Sequence, residues 1–260
     1  MSDAGLFTLC VLIPVYDHEH AIGAVVDAVL GHGLPCLLVD DGSSPACAAV
    51  LDALAAASPQ SVRLVRHARN QGKGAAVLTG FTTAAQGGYT HVLQLDADGQ
   101  HCAADLPRFV DLARAHPACV IAGYPVYDQS VPRLRLYARY LTHVWIWINT
   151  LSLAIRDSMC GFRVYPVAPV LALAARCRLG RRMNFDPEVL VRLHWAGVEV
   201  VNMPTRVTYP SDGVSHFLAV RDNVLITRMH TLLFFGMLLR LPTLLARKVA
   251  RRFAPGARTI

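Results

Sequence analysis

The first hundred residues alternate between short apolar runs and segments of helical periodicity, and this alternation limits the possible folds more than any other feature. Four apolar runs predict β-strands at Leu6–Val15, Pro35–Val39, Val62–Val65 and His91–Leu95. Between them, apolar residues recur every three or four positions, which is typical of helices packed along one side. Strands that alternate with helices in this way predict an α/β fold with a mostly parallel central sheet flanked by helices.

The second half of the chain has a less regular pattern. We expect a long helix over Leu134–Ile155, a shorter one over Pro187–Trp195, and two strands at Val198–Val201 and Thr205–Tyr209. We assign these elements, together with the first half, to one domain of residues 1–216. The chain contains no internal repeat and no low-complexity linker.

Residues 217–260 form a second region, for which the sequence predicts an amphipathic helical extension. Its apolar residues from Leu232 to Leu241 precede a basic cluster that ends at Arg252. A short apolar helix beside a basic cluster suits insertion at the surface of an anionic membrane. The alternative is an ordinary core helix packed on the sheet.

No uncharged apolar stretch reaches the length of about 18 residues that a membrane-spanning helix needs. The best candidate, Thr231–Leu239, is interrupted by Arg240 and then by Pro242. The seven cysteines are scattered and never spaced as C-x-x-C, which fits a reducing cytosol. We therefore expect a cytoplasmic protein that lies peripherally on the inner face of the cell membrane.

The net charge of +7 narrows the classes of partner. A basic protein can bind nucleic acid, anionic lipid or a phosphorylated substrate. The sequence contains no basic stripe interleaved with aromatic residues, which disfavours nucleic acid. The positive charge comes almost entirely from arginine, since Lys73 and Lys248 are the only lysines. A lysine so isolated in the body of the chain makes Lys73 a candidate functional residue.

The strongest chemical signal is the Asp-Ala-Asp-Gly-Gln sequence of residues 96–100, directly after the fourth predicted strand. Two carboxylates two residues apart at a turn can converge on one hard cation, and Gln100 adds a neutral oxygen at the same spacing. A divalent cation held by one or two carboxylates and by substrate phosphates is a common arrangement. We predict a site for Mn²⁺ or Mg²⁺ at Asp96, Asp98 and Gln100. The alternative is a turn that merely uses Asp and Gly.

Two further polar motifs follow strands of the predicted sheet. Asp40 and Asp41 end the second strand, where a carboxylate can accept hydrogen bonds from a nucleoside base or ribose. The alternative is that one of them caps the next helix. A glycine–lysine–glycine turn around Lys73 opens a helix, where backbone N–H groups and the helix dipole favour phosphate. Because ligands gather at the carboxyl ends of such strands, these motifs are expected at one site.

Together these motifs resemble the family 2 glycosyltransferases with the GT-A fold. The similarity is greatest to the branch that contains dolichyl-phosphate mannose synthase and the bacterial polyprenyl-phosphate glycosyltransferases. Six motifs carry the resemblance, in order and spacing, over residues 9–209. They are Ile13-Pro14-Val15-Tyr16-Asp17, Val39-Asp40-Asp41-Gly42-Ser43, Asn70-Gln71-Gly72-Lys73-Gly74, Leu95-Asp96-Ala97-Asp98-Gly99-Gln100, Asp157-Ser158-Met159-Cys160-Gly161-Phe162-Arg163 and Phe185-Asp186-Pro187-Glu188-Val189-Leu190.

The resemblance implies roles for particular residues and an inverting single displacement. Asp98 and Gln100, with Asp96, would hold the metal and the diphosphate. Asp157 would be the catalytic residue on the acceptor side, and Arg163 would lie near an acceptor phosphate. The residues implied in nucleotide binding are Pro14, Tyr16, Asp40, Asp41, Lys73 and Asp96.

Two departures from the family pattern bear on the lipid-phosphate acceptor more than on sugar transfer itself. Tyr124 stands where many relatives place an arginine for the lipid phosphate, and the sequence does not predict the pair of C-terminal spanning helices found in some relatives. A second resemblance is to glycosyltransferases of bacterial aryl-polyene pigment pathways. It rests on residues 209–217 and on the Arg-Asp-Asn sequence of residues 221–223.

Three hypotheses for the function follow. In the first, the protein moves a sugar from a nucleotide-diphosphate sugar to a lipid or lipid-like acceptor at the membrane surface. In the second, the acceptor is a soluble hydroxyl compound and Asp157 is its general base. A phosphate acceptor is already anionic and needs no base, so Asp157 would then only orient groups. In the third, the protein is a catalytically silent partner that binds sugar nucleotides for a membrane complex, which the intact Asp96, Asp98 and Asp157 disfavour.

Overall fold

The computed structural model describes residues 6–126, 133–207 and 218–253, and the apolar runs of the sequence form one seven-stranded sheet within it. The strands are β1 (Leu9–Val15), β2 (Cys36–Asp40), β3 (Val62–Arg66), β4 (His91–Gln94), β5 (Val120–Val126), β6 (Arg163–Pro166) and β7 (Val200–Arg206). The helices are α1 (Ile22–Gly31), α2 (Pro45–Ala57), α3 (Lys73–Gln86), α4 (Leu106–Ala115), α5 (Arg133–Thr150), α6 (Val167–Arg176), α7 (Phe185–Trp195) and α8 (Ala219–Phe253).

The strand order is β3-β2-β1-β4-β6-β5-β7. All neighbouring strands are parallel except β6, which runs antiparallel to both β4 and β5. Strands β1, β2 and β4 are nearly continuous buried runs because helices cover both faces of the sheet. One face packs on α1, α2 and α4, and the other on α3, α5, α6, α7 and α8. The predicted α/β fold with a mostly parallel sheet is confirmed.

The structure corrects several element boundaries in the second half. The two strands expected over residues 198–209 are the single strand β7, because it pairs in unbroken register with β5 from Val200 to Arg206. Helix α5 ends at Thr150 rather than at Ile155, since Leu151 has a φ of 52° that a right-handed helix cannot contain. Helix α7 begins two residues earlier than expected, at Phe185.

The C-terminal region is helical, as predicted, but its helix is longer than expected. Helix α8 runs for 35 residues, and neither Arg240 nor Pro242 ends it. Its segment Val220–Ala250 is long and apolar enough to cross a membrane by length and composition, which corrects the expectation that no stretch would be. Asp222 caps the helix by accepting a hydrogen bond from the Leu218 N–H at 2.8 Å.

Helix α8 lies along the domain instead of projecting from it. Met229, Leu233, Met237 and Leu244 are buried in the core that also contains residues of α5 and α7. Gly236 provides the space for this packing, since a Cβ there would meet the indole ring of Trp195. The division into residues 1–216 and 217–260 stays a prediction. The motif of residues 209–217 lies outside the described residues, so the resemblance to aryl-polyene pathway enzymes also stays a prediction.

Candidate active site

The carboxyl ends of β1 and β2 meet at one edge of the sheet. The Asp41 N–H donates a hydrogen bond to the Val15 carbonyl at 2.8 Å, which brings the end of β1 beside Asp40 and Asp41. Pro14 and Tyr16 at this point are half-buried and keep part of their surface at the edge. The structure thus brings together four of the residues that were assigned to a nucleotide pocket.

Both carboxylates that follow β2 are buried and bonded within the protein. Asp40 Oδ2 lies 2.6 Å from Arg66 Nε. Asp41 accepts hydrogen bonds from the backbone N–H groups of Gln71 and Gly72 at 2.9 and 2.7 Å. These bonds order the glycine turn that opens α3. Asp41 therefore holds the turn, while direct contact of either carboxylate with a nucleotide stays a prediction.

The glycine turn projects Lys73 between two carboxylates. Lys73 Nζ lies 2.6 Å from Asp96 Oδ1 and 2.8 Å from Asp186 Oδ2. Burial alone would lower the pKa of Lys73, but the charges of Asp186 and Asp96 outweigh it and raise this pKa above its ordinary value. Only glycine fits at Gly72, which has a φ of 101° and packs against the backbone of Arg181. Lys73 is thus a fixed cation beside the predicted metal motif.

Arg163 lies beneath Asp186, inside the protein. It is fully buried, and its Nη1 donates hydrogen bonds to Tyr165 Oη and to the Asp186 carbonyl, both at 2.9 Å. The side-chain amide of Gln94 also donates a hydrogen bond to Asp186, at its Oδ1 atom and 2.9 Å away. An acceptor phosphate cannot reach a fully buried guanidinium in this conformation, which corrects the expectation that Arg163 lies near it. The contacts of Arg163 hold Asp186 in place. The sequence did not reveal that Asp186 is a partner of Lys73.

Asp98 and Gln100 lie on the turn after β4, where the Gln100 N–H donates to Asp98 Oδ1 at 3.1 Å. Burial and the neighbouring charge of Asp96 raise the pKa of Asp98. A divalent cation between these carboxylates would remove their repulsion, so the residues fit the predicted metal.

The protein would supply only part of the coordination shell of that metal. Within the described residues, no group of three or more His, Cys, Asp or Glu side chains is suited to hold a metal. Phosphate oxygens and water are the usual remaining ligands of Mg²⁺ in such sites. The geometry is therefore compatible with a cation that binds together with a nucleotide.

Two further neighbours of Asp96, Gly161 and His101, complete its surroundings. A Cβ at Gly161 would overlap the Asp96 carboxylate, so the loop before β6 passes directly over this side chain. His101 Nε2 lies 3.5 Å from Asp96 Oδ2, and the pair lines a cavity of about 210 Å³ together with alanines of α1. The local sequence carries no signal for the Gly161 contact, because Gly161 lies far from Asp96 along the chain, whereas His101 directly follows the metal motif.

Asp157 is enclosed by five nitrogen atoms. Arg139 Nε and Nη2 donate to its two oxygens at 2.6 and 2.8 Å, and the backbone N–H groups of Met159 and Cys160 each donate to Oδ1 at 2.7 Å. His143 Nε2 lies 3.2 Å from Oδ2. Burial alone would raise the pKa of Asp157, but His143 and Arg139 outweigh it and hold this pKa below its usual range. A carboxylate held in this way is a weak base.

The sequence carries a signal for two partners of Asp157 that the motifs alone did not reveal. Arg139 and His143 are four residues apart on α5, which places both side chains on one face of the helix. The sequence does not reveal which loop that face meets. The structure shows that it meets the loop of residues 151–162.

Comparison with known proteins agrees with this fold. Residues 10–173 match glycosyl transferase family 2. Polyprenol monophosphomannose synthase of Mycolicibacterium smegmatis is 31% identical over 225 residues, or 79% of each chain. The undecaprenyl-phosphate 4-deoxy-4-formamido-L-arabinose transferase of Pseudomonas aeruginosa is 31% identical over 183 residues, which are 68% of this chain and 51% of that one. This chain therefore spans about half the length of the second relative.

Among solved structures, glucosyl-3-phosphoglycerate synthase from Mycobacterium tuberculosis, in complex with Mn²⁺ and UDP-glucose, has a similar fold. The TM-score is 0.62 at 14% sequence identity, over 90% of this chain and 80% of that one. The family match extends over the metal motif, the Lys73 turn and Asp157. The chain belongs to glycosyl transferase family 2, and it is a glycosyltransferase whose relatives include transferases named for polyprenyl phosphates.

Proposed function

We propose that the protein transfers a sugar from a nucleotide-diphosphate sugar to the phosphate of a lipid acceptor at a membrane surface. The transfer would require Mn²⁺ or Mg²⁺ at Asp96, Asp98 and Gln100. The observation that carries the choice of acceptor is the environment of Asp157, the residue expected on the acceptor side.

A hydroxyl acceptor must lose a proton as it attacks, and a general base has to receive that proton. Asp157 is poorly suited to this task, because five nitrogen atoms surround it and its pKa lies below the usual range. A phosphate acceptor is an anion and attacks without a base. The low basicity of this carboxylate therefore favours the phosphate acceptor, and the names of the polyprenol and undecaprenyl-phosphate relatives are consistent with it.

The donor side supplies the charges that a departing nucleoside diphosphate needs. A bound cation would offset the negative charge that develops on this leaving group. Lys73 is a fixed cation next to Asp96 and can pair with an oxygen of the diphosphate. In an inverting single displacement, the acceptor oxygen bonds to the anomeric carbon as the bond from that carbon to the diphosphate breaks. The stereochemical course rests on the family resemblance.

The membrane part of the proposal rests on exposed apolar side chains of α8 and α5. Leu232, Phe235 and Leu239 are 57%, 58% and 84% exposed, and their spacing puts them on one side of α8. Trp145 of α5 stacks on His230 of α8, which joins the two helices into a continuous surface. Exposed apolar surface of this extent is typical of partner or membrane contacts. Because the opposite side of α8 is buried on the domain, a helix lying in the membrane surface, on the cytoplasmic side, fits better than a spanning one.

The acceptor class is tested by incubating the protein with UDP- and GDP-sugars, Mn²⁺ and either farnesyl phosphate, farnesol or glycerol. Transfer to farnesyl phosphate alone, abolished by EDTA, is the expected result. Transfer to farnesol or glycerol but not to the phosphate would favour the hydroxyl-acceptor hypothesis. Donor binding without transfer to any acceptor would favour the catalytically silent partner.

Membrane binding is tested by flotation with anionic vesicles, using two substitutions at positions of equal exposure. Leu239→Gln on α8 is expected to weaken binding about tenfold, since burying a leucine contributes roughly 1.5–3 kcal/mol. The control is Leu6→Gln, at a position that is 83% exposed and outside this surface. Equal vesicle binding by the two variants would contradict the proposed membrane surface. Truncation before α8 is a poorer test, because it removes Met229 and Leu233 from the core.

A further inference from the structure

Arg156 is held in place by the protein although its side chain is exposed. Its Nη1 donates a hydrogen bond to Tyr124 Oη at 3.0 Å, and its Cζ lies 5.0 Å from the centroid of the Tyr124 ring. Its backbone N–H donates to Asn202 Oδ1 at 3.0 Å, and Asn202 Nδ2 donates to the Ala154 carbonyl at 2.7 Å. Both the backbone and the guanidinium of Arg156 are therefore fixed, so a ligand would not have to order them.

The charge of Arg156 has no carboxylate partner within residues 6–126, 133–207 and 218–253. The other two arginines of this region differ in this respect, since Arg139 is paired with Asp157 and Arg163 with Asp186. Tyr124 offers a hydroxyl group and an aromatic face, neither of which neutralises a cation. Arg156 thus retains both its positive charge and the N–H groups that do not bond to Tyr124.

The position of Arg156 connects it with the reaction centre. It directly precedes Asp157, and the same loop continues to Gly161, which touches the Asp96 carboxylate. Five residues of extended chain span at most about 18 Å, so the Cα atoms of Arg156 and Gly161 lie within that distance of each other. An anion bound at Arg156 would lie next to Asp157, on the acceptor side of the site.

We propose that Arg156, supported by Tyr124 and Asn202, binds the phosphate group of the acceptor. This inference rests on the proposed function, and it names the residue that selects an anionic acceptor. A guanidinium is suited to this ligand because its planar N–H groups bind two phosphate oxygens at once. The Tyr124 hydroxyl, next to the guanidinium, can donate a further hydrogen bond to the same group.

The test compares Arg156→Gln, Arg156→Lys and Tyr124→Leu with the control Arg63→Gln, at an exposed position on the far edge strand β3. The measured quantities are KM and kcat for farnesyl phosphate, and the calorimetric Kd of farnesyl phosphate and of the donor. Arg156→Gln is expected to raise KM and Kd for farnesyl phosphate about 30-fold, as for the loss of a charged hydrogen-bonded pair. Arg156→Lys recovers part of this loss, Tyr124→Leu shows a smaller loss, and donor affinity and the control stay unchanged.

Two results would overturn the inference. One is an unchanged Kd for farnesyl phosphate in Arg156→Gln, and the other is a parallel loss of donor affinity, which would mean that Arg156 only supports the loop. Inorganic phosphate as a competitor separates the headgroup from the lipid chain, since the competition should weaken in Arg156→Gln and its persistence would count against the contact. If the wild type binds farnesyl phosphate through Arg156 but transfers no sugar to it, the inference stands and the proposed function fails.

Discussion

Two aspartates, one on each side of the candidate active site, have opposite environments. On the donor side, Asp96 is paired with Lys73, whereas burial and the charge of Asp96 raise the pKa of Asp98. On the acceptor side, Asp157 is surrounded by Arg139, His143 and two backbone N–H groups, and its pKa is lowered. Asp98 is therefore incomplete without a cation, whereas the protein supplies the partners of Asp157 by itself.

This difference shows that an aspartate in a family motif can either bind a ligand or stabilise the fold. Asp98 has one described hydrogen bond, from a backbone N–H, and its remaining oxygen lone pairs suit a metal. Asp157 Oδ1 accepts three hydrogen bonds and Oδ2 one, and His143 Nε2 lies 3.2 Å from Oδ2, so the protein itself occupies most of this carboxylate. Turnover and donor affinity should therefore respond most to changes on the donor side. The free energy of unfolding should respond most to changes at Asp157.

The largest effect is expected for Asp98→Asn. Because changes in residues that merely support metal ligands typically cost 10- to 100-fold, loss of a direct ligand should lower turnover by roughly 100- to 1,000-fold. Calorimetry of donor binding with Mn²⁺ should show a parallel loss of affinity. The control is Asp27→Asn, at an exposed position on α1. Undiminished turnover and donor affinity in Asp98→Asn would contradict the assignment of Asp98 as a metal ligand.

The next largest effect is expected for Asp157→Asn, and it should be a loss of the free energy of unfolding. The substitution leaves the Arg139 charge partly buried without its partner, which costs about 3 kcal/mol of the free energy of unfolding. Urea denaturation measures this loss. The folded fraction should lose turnover while it keeps its donor affinity. A variant as stable as the wild type would show that Asp157 is not the structural member of the comparison.

The stability difference between the wild type and Asp157→Asn should also depend on pH. Since the folded pKa of Asp157 is lowered, its contribution is fully present above the unfolded pKa of about 3.9 and is lost as the pH falls below it. Urea unfolding at pH 7 and at several values below 4 should therefore show the two proteins converging. If the difference in the free energy of unfolding stayed constant at these low pH values, the stabilisation would come from packing rather than from charge.

A smaller effect is expected for Gly161→Ala. The added methyl group overlaps the Asp96 carboxylate, so either the loop or Asp96 must move. We expect a loss of about 20-fold in donor affinity with Mn²⁺, within the range for a displaced metal ligand. Gly31→Ala is the control, because a Cβ there meets nothing within 4 Å. Similar affinities in the two variants would show that Asp96 adapts freely.

The smallest effect is expected for Lys73→Met, which should change the affinities for Mn²⁺ and for a nucleoside diphosphate in opposite directions. Loss of the ammonium group next to Asp96 removes its repulsion of a divalent cation, so the binding of Mn²⁺ alone should strengthen by roughly tenfold, or about 1.4 kcal/mol. The affinity for a nucleoside diphosphate should fall. Titration of Mn²⁺ followed by electron paramagnetic resonance measures the first change without any turnover. Lys248→Met replaces the only other lysine and should change neither affinity.

The first half of the fold could be predicted because its signals are local. The strands β1 to β4 lie within a few residues of the apolar runs that predicted them. The unbroken strand β7 could not be predicted, because its length depends on pairing with β5. The end of α5 depends on a positive φ at Leu151, and no residue type at that position signals it.

The candidate site could be predicted where one short segment carries the chemistry. Asp96, Asp98 and Lys73 were found in this way, and the structure brings them together. Asp186 was missed as the second partner of Lys73 because it comes from a helix more than a hundred residues away. Arg163 was misplaced because the sequence does not reveal that β6 is covered on both sides.

The loop of residues 151–162 joins the two sides of the site. It contains Asp157, it is fastened to β7 by Asn202, and it presses on Asp96 through Gly161. In a close-packed interior, such a segment cannot shift at one end without displacing what it touches at the other. Thermodynamic reciprocity then requires that any effect of the acceptor on donor affinity is returned in equal measure by the donor. A coupling between donor and acceptor would therefore act through this short stretch of backbone, which carries Asp157 on the acceptor side and contacts Asp96 on the donor side.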